Sequence, residues 1–162
     1  EQAPDVGCVL VPIGGGGLMA GVACAVKALK PECRVIGVEL AEGPGMTPAL
    51  AAGKPVPAPR RPTLADGLTP PFVGALPLAV AQQCLDGVVL VTEAEIHAAL
   101  RVLLTRAKLY VEGSGAAATA ALLAGKVDIS PGTVVVSLVS GGNVDPERLL
   151  GVFAEPGADG AA

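Results

Sequence analysis

Four consecutive glycines, Gly14 to Gly17, form a segment that we call the glycine turn. Residues 8–13 before it predict a buried strand, and residues 18–29 after it predict a helix. A helix that begins directly after such a turn presents unpaired backbone N–H groups and the positive end of its dipole. Glycine lets an anion approach this backbone closely. We therefore predict a phosphate-binding backbone at Gly14, Gly15, Gly16, Gly17 and Leu18.

The glycine turn is compatible with two kinds of cofactor. Gly15, Gly17 and Ala20 satisfy the dinucleotide-binding fingerprint, with alanine in the third place. Glu39 ends the next predicted strand, where an acid that binds a ribose belongs in that fold. The alternative is that the turn holds the phosphate of pyridoxal phosphate. The turn alone leaves both cofactors open.

Six motifs occur in order along the chain. They are VPIGGGGLMAGVACAVKALKP from residue 11, VIGVE from 35, ADG from 65, VTEAEI from 91, VEGSGAAA from 111 and SGGNVD from 140. Together they resemble the fold type II pyridoxal phosphate enzymes, in particular the threonine dehydratase and serine racemase group. The resemblance runs from about Asp5 to Arg148. It implies an α/β fold, in which a parallel sheet with helices on both faces forms the large domain of the enzyme.

The resemblance assigns a role to Ser140, the serine of the SGGN motif. In that family this serine shares a hydrogen bond with the pyridine nitrogen of the cofactor. A hydroxyl cannot hold the nitrogen protonated as a carboxylate does, so the ring is a weaker electron sink. Such a ring suits the elimination of a β-hydroxyl group. The resemblance thus implies pyridoxal 5'-phosphate as the cofactor, bound by the glycine turn, Leu18 and Ser140, and a small hydroxy amino acid as the substrate.

The lysine that forms a Schiff base with the cofactor in that family has no counterpart in this sequence. It lies in a Ser-x-Lys-x-Arg-Gly segment, and an Asn-containing loop for the substrate carboxylate follows it. The lysines of this chain fall on predicted helix surfaces or near turns, where a solvated amine is a poor imine former. They are Lys27, Lys30, Lys54, Lys108 and Lys126. We therefore expect no catalytic residue in this chain, no activity from it alone, and a considerably longer natural protein.

Two further positions depart from the family's pattern. Gly113 replaces the usual proline after Glu112, which the resemblance places near the cofactor, and Ser114 is predicted to cap a helix over 115–124. Racemase-like members bind a divalent cation through a glutamate, a carbonyl and an aspartate. Glu39 matches the glutamate, but Gly45 stands in place of the aspartate. A single carboxylate supplies too few oxygen ligands for Mg²⁺ or Ca²⁺, so no metal ligand is predicted.

Composition and charge exclude several classes of partner. The chain has 162 residues, of which 51% are hydrophobic and 16% charged, and a formal net charge of -4. A negative chain without a basic stripe is not expected to bind nucleic acid. The uncharged residues 6–26 do not span a membrane, because Pro12 and the glycine turn break any helix there. Without a signal-peptide pattern, and with cysteines that fit buried, reduced thiols, the protein is expected in the cytoplasm.

The order of apolar segments predicts one domain over residues 1–153 and a disordered tail over 154–162. Runs of Val, Leu and Ile predict parallel strands buried on both faces, at 8–13, 34–39, 88–91 and 133–139. Helices are predicted at 18–29, 46–52, 76–84, 93–109 and 114–124, and a Pro-rich loop at 53–62. Ligands bind at the carboxyl ends of such strands, which places the glycine turn, Glu39 and Ser140 beside one crevice.

The resemblance favours one function among several. It implies part of a threonine or serine ammonia-lyase (dehydratase), which releases a 2-oxo acid and ammonia and assembles as a homo-oligomer when intact. Serine racemase is the alternative within the same group. A dinucleotide-binding oxidoreductase domain would use Glu39 but would leave the SGGN motif unexplained. A non-catalytic binding module would account for the absent lysine.

Overall fold

Runs of Val, Leu and Ile form a four-stranded parallel sheet at the centre of the computed structural model, which describes residues 2–154. The strands are β1 (Val6–Pro12), β2 (Arg34–Leu40), β3 (Gly87–Val91) and β4 (Val134–Ser137). They lie in the order β3-β2-β1-β4, and every neighbouring pair is parallel. The central strand β1 is buried from Cys8 to Pro12, as expected for a sheet covered on both faces. The prediction of a parallel sheet is confirmed.

Helices cover both faces of this sheet. They are α1 (Gly17–Leu29), α2 (Met46–Ala52), α3 (Ala75–Cys84), α4 (Glu93–Thr105), α5 (Gly113–Leu123) and α6 (Pro146–Ala154). α1, α2 and α3 bury their apolar residues in one hydrophobic cluster with Val11 of β1. α4, α5 and α6 do so in a second cluster with Leu10. Because Leu10 and Val11 are neighbours in β1, their side chains point to opposite faces, and the two clusters are the two halves of the core.

The helix α5 packs close to the sheet because it is built of small residues. Its buried residues are Gly113, Ser114, Gly115, Ala116, Ala117, Ala118, Ala120 and Ala121. It contacts all four strands. Side chains of this size let the helix axis approach the sheet closely, which sets the first turn of α5 directly against two loops. A Cβ on Gly113 would lie 2.5 Å from the carbonyl oxygen of Leu64, and one on Gly115 would lie 2.6 Å from that of Gly141.

The helix α4 begins as predicted and ends earlier than predicted. Thr92 and Glu95 form a capping box, in which each side chain accepts a hydrogen bond from the other residue's backbone N–H. The predicted end at residue 109 is wrong, because the helix stops at Thr105. Lys108 then adopts a left-handed conformation with a φ of 59°, and the N–H of Leu109 donates to the carbonyl of Leu103. No glycine or proline marks this end in the sequence.

Two short elements go beyond the sequence prediction. They are the helix α6 and a 3-10 turn at Asp66–Leu68, and both lie in segments for which the sequence predicts no regular structure. Ala154 ends α6, and the rest of the predicted disordered tail lies outside the described residues. Among the helices of residues 2–154, none combines the length and the apolar composition that a membrane-spanning helix requires.

Candidate functional site

A cavity of about 220 Å³ opens where β1 and β4 end. Three segments meet there: the glycine turn after β1, the SGGN segment after β4 and the first turn of α5. The lining residues are Pro12, Gly14, Gly15, Gly16, Gly17, Leu18, Gly67, Leu68, Glu112, Ser114 and Ser140. The structure thus brings together all six residues that are predicted from the sequence to bind the cofactor. It adds Gly67 of the ADG motif, which carries the resemblance but has no predicted role, and Leu68, the next residue.

The four glycines of the turn differ in what surrounds them. Gly16 has a φ of 91°, and a Cβ there would lie 2.6 Å from Cβ of Pro77. A Cβ on Gly14 would collide with the carbonyl oxygen of Gly67. Gly15 and Gly17 have no atom within 4 Å of such a Cβ. Two glycines are therefore required by the packing of the turn, and the other two leave open space beside the backbone.

The N-terminus of α1 borders this open space. Gly16 is its N-cap residue and has no side chain that could cap the helix. The first intrahelical bond runs from the N–H of Ala20 to the carbonyl of Gly16, so the amides before Ala20 have no acceptor within α1. Free amides and the positive end of the dipole fit a phosphate dianion at this position.

The ADG segment forms one wall and is held by charged side chains outside the cavity. Glu93 accepts hydrogen bonds from the hydroxyl of Thr63 and, at 2.6 Å, from the N–H of Leu64. Arg148 of α6 forms an ion pair with Asp66 at 2.9 Å and donates to the carbonyl of Thr63. The unpredicted helix α6 therefore contributes to the position of the wall that contains Gly67.

A second wall, which contacts the ADG segment, joins the first turn of α5 to the SGGN segment. The N–H of Glu112 donates to the carbonyl of Gly141 at 3.1 Å. A Cβ on Gly141 would lie 2.5 Å from Oε1 of Glu112, so the glutamate carboxylate packs against this backbone. Ser140 stands at the exposed edge of the wall. A side chain at position 141 would displace the Glu112 carboxylate from this backbone.

Ser114 does not have the role that its sequence position suggests. The predicted cap is wrong, because Glu112 is the N-cap residue of α5 and Ser114 is the second residue inside the helix. Its side chain lines the cavity and is 6% exposed. Within residues 2–154 its hydroxyl has no hydrogen-bond partner. A buried hydroxyl of this kind is uncommon in folded proteins.

Glu39 lies outside the cavity, so the prediction that it borders the crevice is wrong. Its carboxylate is 1% exposed and accepts hydrogen bonds from the N–H groups of Gly45, Met46 and Thr47 at 2.7, 2.5 and 2.8 Å. The hydroxyl of Thr47 donates to it as well, at 2.6 Å. These bonds occupy the carboxylate, so it fits neither a ribose nor a divalent cation. In the part of the chain that the structure describes, no group of three or more acidic, His or Cys side chains could hold a metal ion.

Three groups in or beside strands of the sheet have shifted pKa values. Burial would raise the pKa of Asp86, but hydrogen bonds from Lys27 and from the N–H of Val35 lower it. Burial raises the pKa of the Cys8 and Cys33 thiols. All four cysteines are free, but Cys24 is exposed, so the expectation of buried thiols is wrong for that residue.

A family model and a relative of known name match most of this chain. The family model described as "Pyridoxal-phosphate dependent enzyme" matches residues 1–141. L-threonine ammonia-lyase of Geobacter sulfurreducens is 46% identical over 158 residues, which are 97% of this chain and 39% of that protein.

Two solved structures have the same fold. A threonine deaminase from T.th. superimposes with a TM-score of 0.79 and 39% identity, over 86% of this chain and 50% of that one. Maize serine racemase does so with a TM-score of 0.83 and 35% identity, over 94% of this chain and 47% of that one. The chain therefore spans half or less of the length of each of these relatives.

Proposed function

The chain belongs to the family of pyridoxal-phosphate dependent enzymes, and on this premise we propose that it provides the cofactor-binding domain of a threonine or serine ammonia-lyase. The reaction would convert the hydroxy amino acid to a 2-oxo acid and ammonia. The observation that carries the proposal is the cavity in which the uncapped N-terminus of α1, the glycine turn and Ser140 meet. The proposed reaction is inferred from the relatives that are named threonine ammonia-lyase.

The phosphate of the cofactor would bind at the N-terminus of α1. Backbone amides from Gly15 to Leu18 would donate to its oxygens, and the helix dipole would favour its negative charge. Gly15 and Gly17 leave the space that the phosphate requires. Met46 and Val73 support this turn from behind, since a Cβ on Gly16 would lie 3.3 Å from each side chain.

The ring of the cofactor would extend toward Ser140. When bound, pyridoxal phosphate supplies an electron sink that makes the Cα proton of an amino acid acidic. Ser140 would donate a hydrogen bond to the pyridine nitrogen, which leaves the nitrogen without a proton and limits the strength of the sink. This setting favours the loss of the β-hydroxyl over slower reactions at Cα. Gly67 and Leu68 would exclude water from one side of the ring.

The Cα proton needs a base, which we propose is a lysine outside this chain. Among residues 2–154, no lysine lines the cavity. Lys27 pairs with Asp86 and Lys126 with Glu95, each at 2.8 Å. Lys30 donates to the carbonyl of Pro4 at 2.7 Å. Lys54 and Lys108 are exposed. An amine already paired or solvated in this way is a poor nucleophile for the cofactor.

Racemisation of serine is the second candidate, supported by the similarity to maize serine racemase. It differs from ammonia release in that a proton returns to Cα from the opposite face and the hydroxyl is kept.

Assembly as a homo-oligomer and a cytoplasmic location also stay predictions.

The proposal is tested with the protein expressed from the complete gene and loaded with pyridoxal phosphate. With L-threonine we expect 2-oxobutyrate and ammonia, and with L-serine pyruvate and ammonia. If D-serine is the main product, the protein is a racemase and not a lyase. The purified 162-residue chain is the control, and we expect it to release no oxo acid. An oxo acid from this chain alone, or none from the loaded complete protein, would contradict the proposal.

A further inference from the structure

We propose that Ser114 is a second hydroxyl that binds the ring of the cofactor, beside Ser140. The proposal rests on the proposed function, because it requires pyridoxal phosphate in this cavity. It starts from a side chain that is 6% exposed, lines the cavity and has no hydrogen-bond partner within residues 2–154. Burial of a hydroxyl without a partner is unfavourable. A ligand that accepts its proton would remove this penalty.

The position of Ser114 in α5 favours an acceptor atom. The helix has eleven residues, and Ser114 is its second. Glu112 makes no side-chain cap, so the amides of the first turn are also without a partner from the helix. The hydroxyl thus stands at the positive end of the helix dipole. Both features favour a ligand atom that accepts a hydrogen bond, either through a lone pair or as an anionic oxygen, over a ligand atom that donates one.

Gly67 leaves a path from Ser114 to the cavity. A Cβ on Gly67 would lie 2.8 Å from Oγ of Ser114, so any other residue at 67 would occupy the space beside the hydroxyl. On its other side Gly67 contacts Gly14 of the glycine turn. Gly67 thus contacts both Ser114 and Gly14, and we place the ring of the cofactor on the Ser114 side.

The neighbour of Ser114 on this wall is the SGGN segment. The first turn of α5 contacts Gly141 through Glu112 and Gly115. Ser114 and Ser140 thus approach the cavity from the same wall, one buried and the other exposed. The acceptor that a pyridoxal ring offers beside Ser140 is the pyridine nitrogen. The geometry assigns the buried hydroxyl to this nitrogen, where water competes less for the hydrogen bond.

The test uses Ser114→Ala in the complete protein, loaded with pyridoxal phosphate that carries ¹⁵N in the ring. Loss of one neutral hydrogen bond should raise the dissociation constant of the cofactor about three- to tenfold. The ¹⁵N resonance should move toward the position of a nitrogen with fewer hydrogen bonds. Ser137→Ala is the matched control, because its hydroxyl pairs with Thr119 at 2.9 Å and does not line the cavity. We expect it to change neither quantity.

Combining Ser114→Ala with Ser140→Ala tests whether both hydroxyls serve one atom. If they do, the two effects on the dissociation constant should not add. Parental affinity and an unchanged ¹⁵N resonance in Ser114→Ala would overturn the proposal, and so would weaker binding without a change of the resonance. Neither readout depends on activity. A loaded protein that shows the expected ¹⁵N shift but releases no oxo acid would contradict the proposed function and leave Ser114 as assigned.

Discussion

The helices α1 and α2 each begin after a parallel strand and a glycine-containing loop, but their N-termini differ. α1 follows the glycine turn, its N-cap residue Gly16 has no side chain to cap it, and its first residues border the cavity. α2 follows Gly43 and Gly45, and the amides at its start donate to the buried carboxylate of Glu39. A carboxylate supplied by the fold thus occupies one helix N-terminus, while the other stays open to a negatively charged ligand.

The largest effect is expected from removing the carboxylate at α2. Glu39→Ala deletes a buried acceptor of four hydrogen bonds. The amides at the start of α2 lose their partner, so the free energy of unfolding of the complete protein should fall by about 4 kcal/mol. Glu39→Gln should lose less, since its carbonyl oxygen still accepts. Urea unfolding measures both variants. Equal stability of the parent and Glu39→Ala would show that α2 does not depend on this carboxylate.

A smaller loss of stability is expected from Gly16→Ala at the start of α1. The new Cβ would meet Pro77, and alanine is strained at a φ of 91°. Together these should lower the free energy of unfolding by about 3 kcal/mol. Gly15→Ala is the matched variant, because no atom lies within 4 Å of its Cβ. Its stability should stay within about 1 kcal/mol of the parent. Similar losses for both variants, measured by urea unfolding, would contradict the distinction between the two glycines.

Ser140 tests the ring end of the same cavity. Ser140→Ala should weaken cofactor binding about three- to tenfold, as for one neutral hydrogen bond. Ser140→Asp should favour a protonated pyridine nitrogen, because a carboxylate stabilises the positive charge. The absorption spectrum of the bound cofactor and the ratio of oxo acid to D-serine follow this change. If both variants leave the spectrum and the ratio as in the parent, Ser140 does not contact the nitrogen.

The smallest effect on stability is expected from the ion pair between Lys27, in the last turn of α1, and Asp86, at 2.8 Å. Burial opposes ionisation, but hydrogen bonds from Lys27 and Val35 lower the pKa of Asp86 below its usual value. The pair therefore stabilises the fold above the usual pKa of an aspartate, and this contribution is lost as the pH falls through the lowered pKa. Asp86→Asn should make thermal stability slightly less sensitive to acid. Unchanged acid sensitivity would mean that the pair contributes nothing.

The sequence predicts the site at α1 better than the arrangement at α2. Four glycines between a strand and a helix are typical of a backbone that binds a phosphate, and the resemblance adds Ser140. The partners of Glu39 could not be predicted, because Gly45, Met46 and Thr47 offer only backbone amides and a hydroxyl. Glu39 ends a parallel strand where a ligand-binding acid is expected, and only the path of the following loop decides what it binds.

Residues of the same type also differ in ways that the sequence does not show. The four glycines of the turn have the same side chain, yet only Gly16 needs a positive φ. Ser114 looks like a helix cap, but α5 begins one residue before it. The end of α4 depends on a left-handed lysine, Lys108, for which no sequence rule exists. Each of these features is set by tertiary contacts.

The central claim is that the open N-terminus of α1 binds the phosphate of the cofactor, and Gly17→Asp tests it most directly. Gly17 is the first residue of α1, and a Cβ there has no atom within 4 Å. Aspartate is favourable at a helix N-terminus, so the fold should persist. The new carboxylate would lie at the N-terminus of α1, as the carboxylate of Glu39 lies at the N-terminus of α2. Gly17→Ala is the uncharged control.

The measurement is the ratio of the dissociation constants of pyridoxal and pyridoxal phosphate for the complete protein. The parent should prefer the phosphorylated form strongly, and Gly17→Asp should lower its affinity for pyridoxal phosphate by about 100-fold or more, with little change for pyridoxal. Gly17→Ala should keep most of the preference. An unchanged ratio in Gly17→Asp would contradict the claim that this helix N-terminus binds the phosphate.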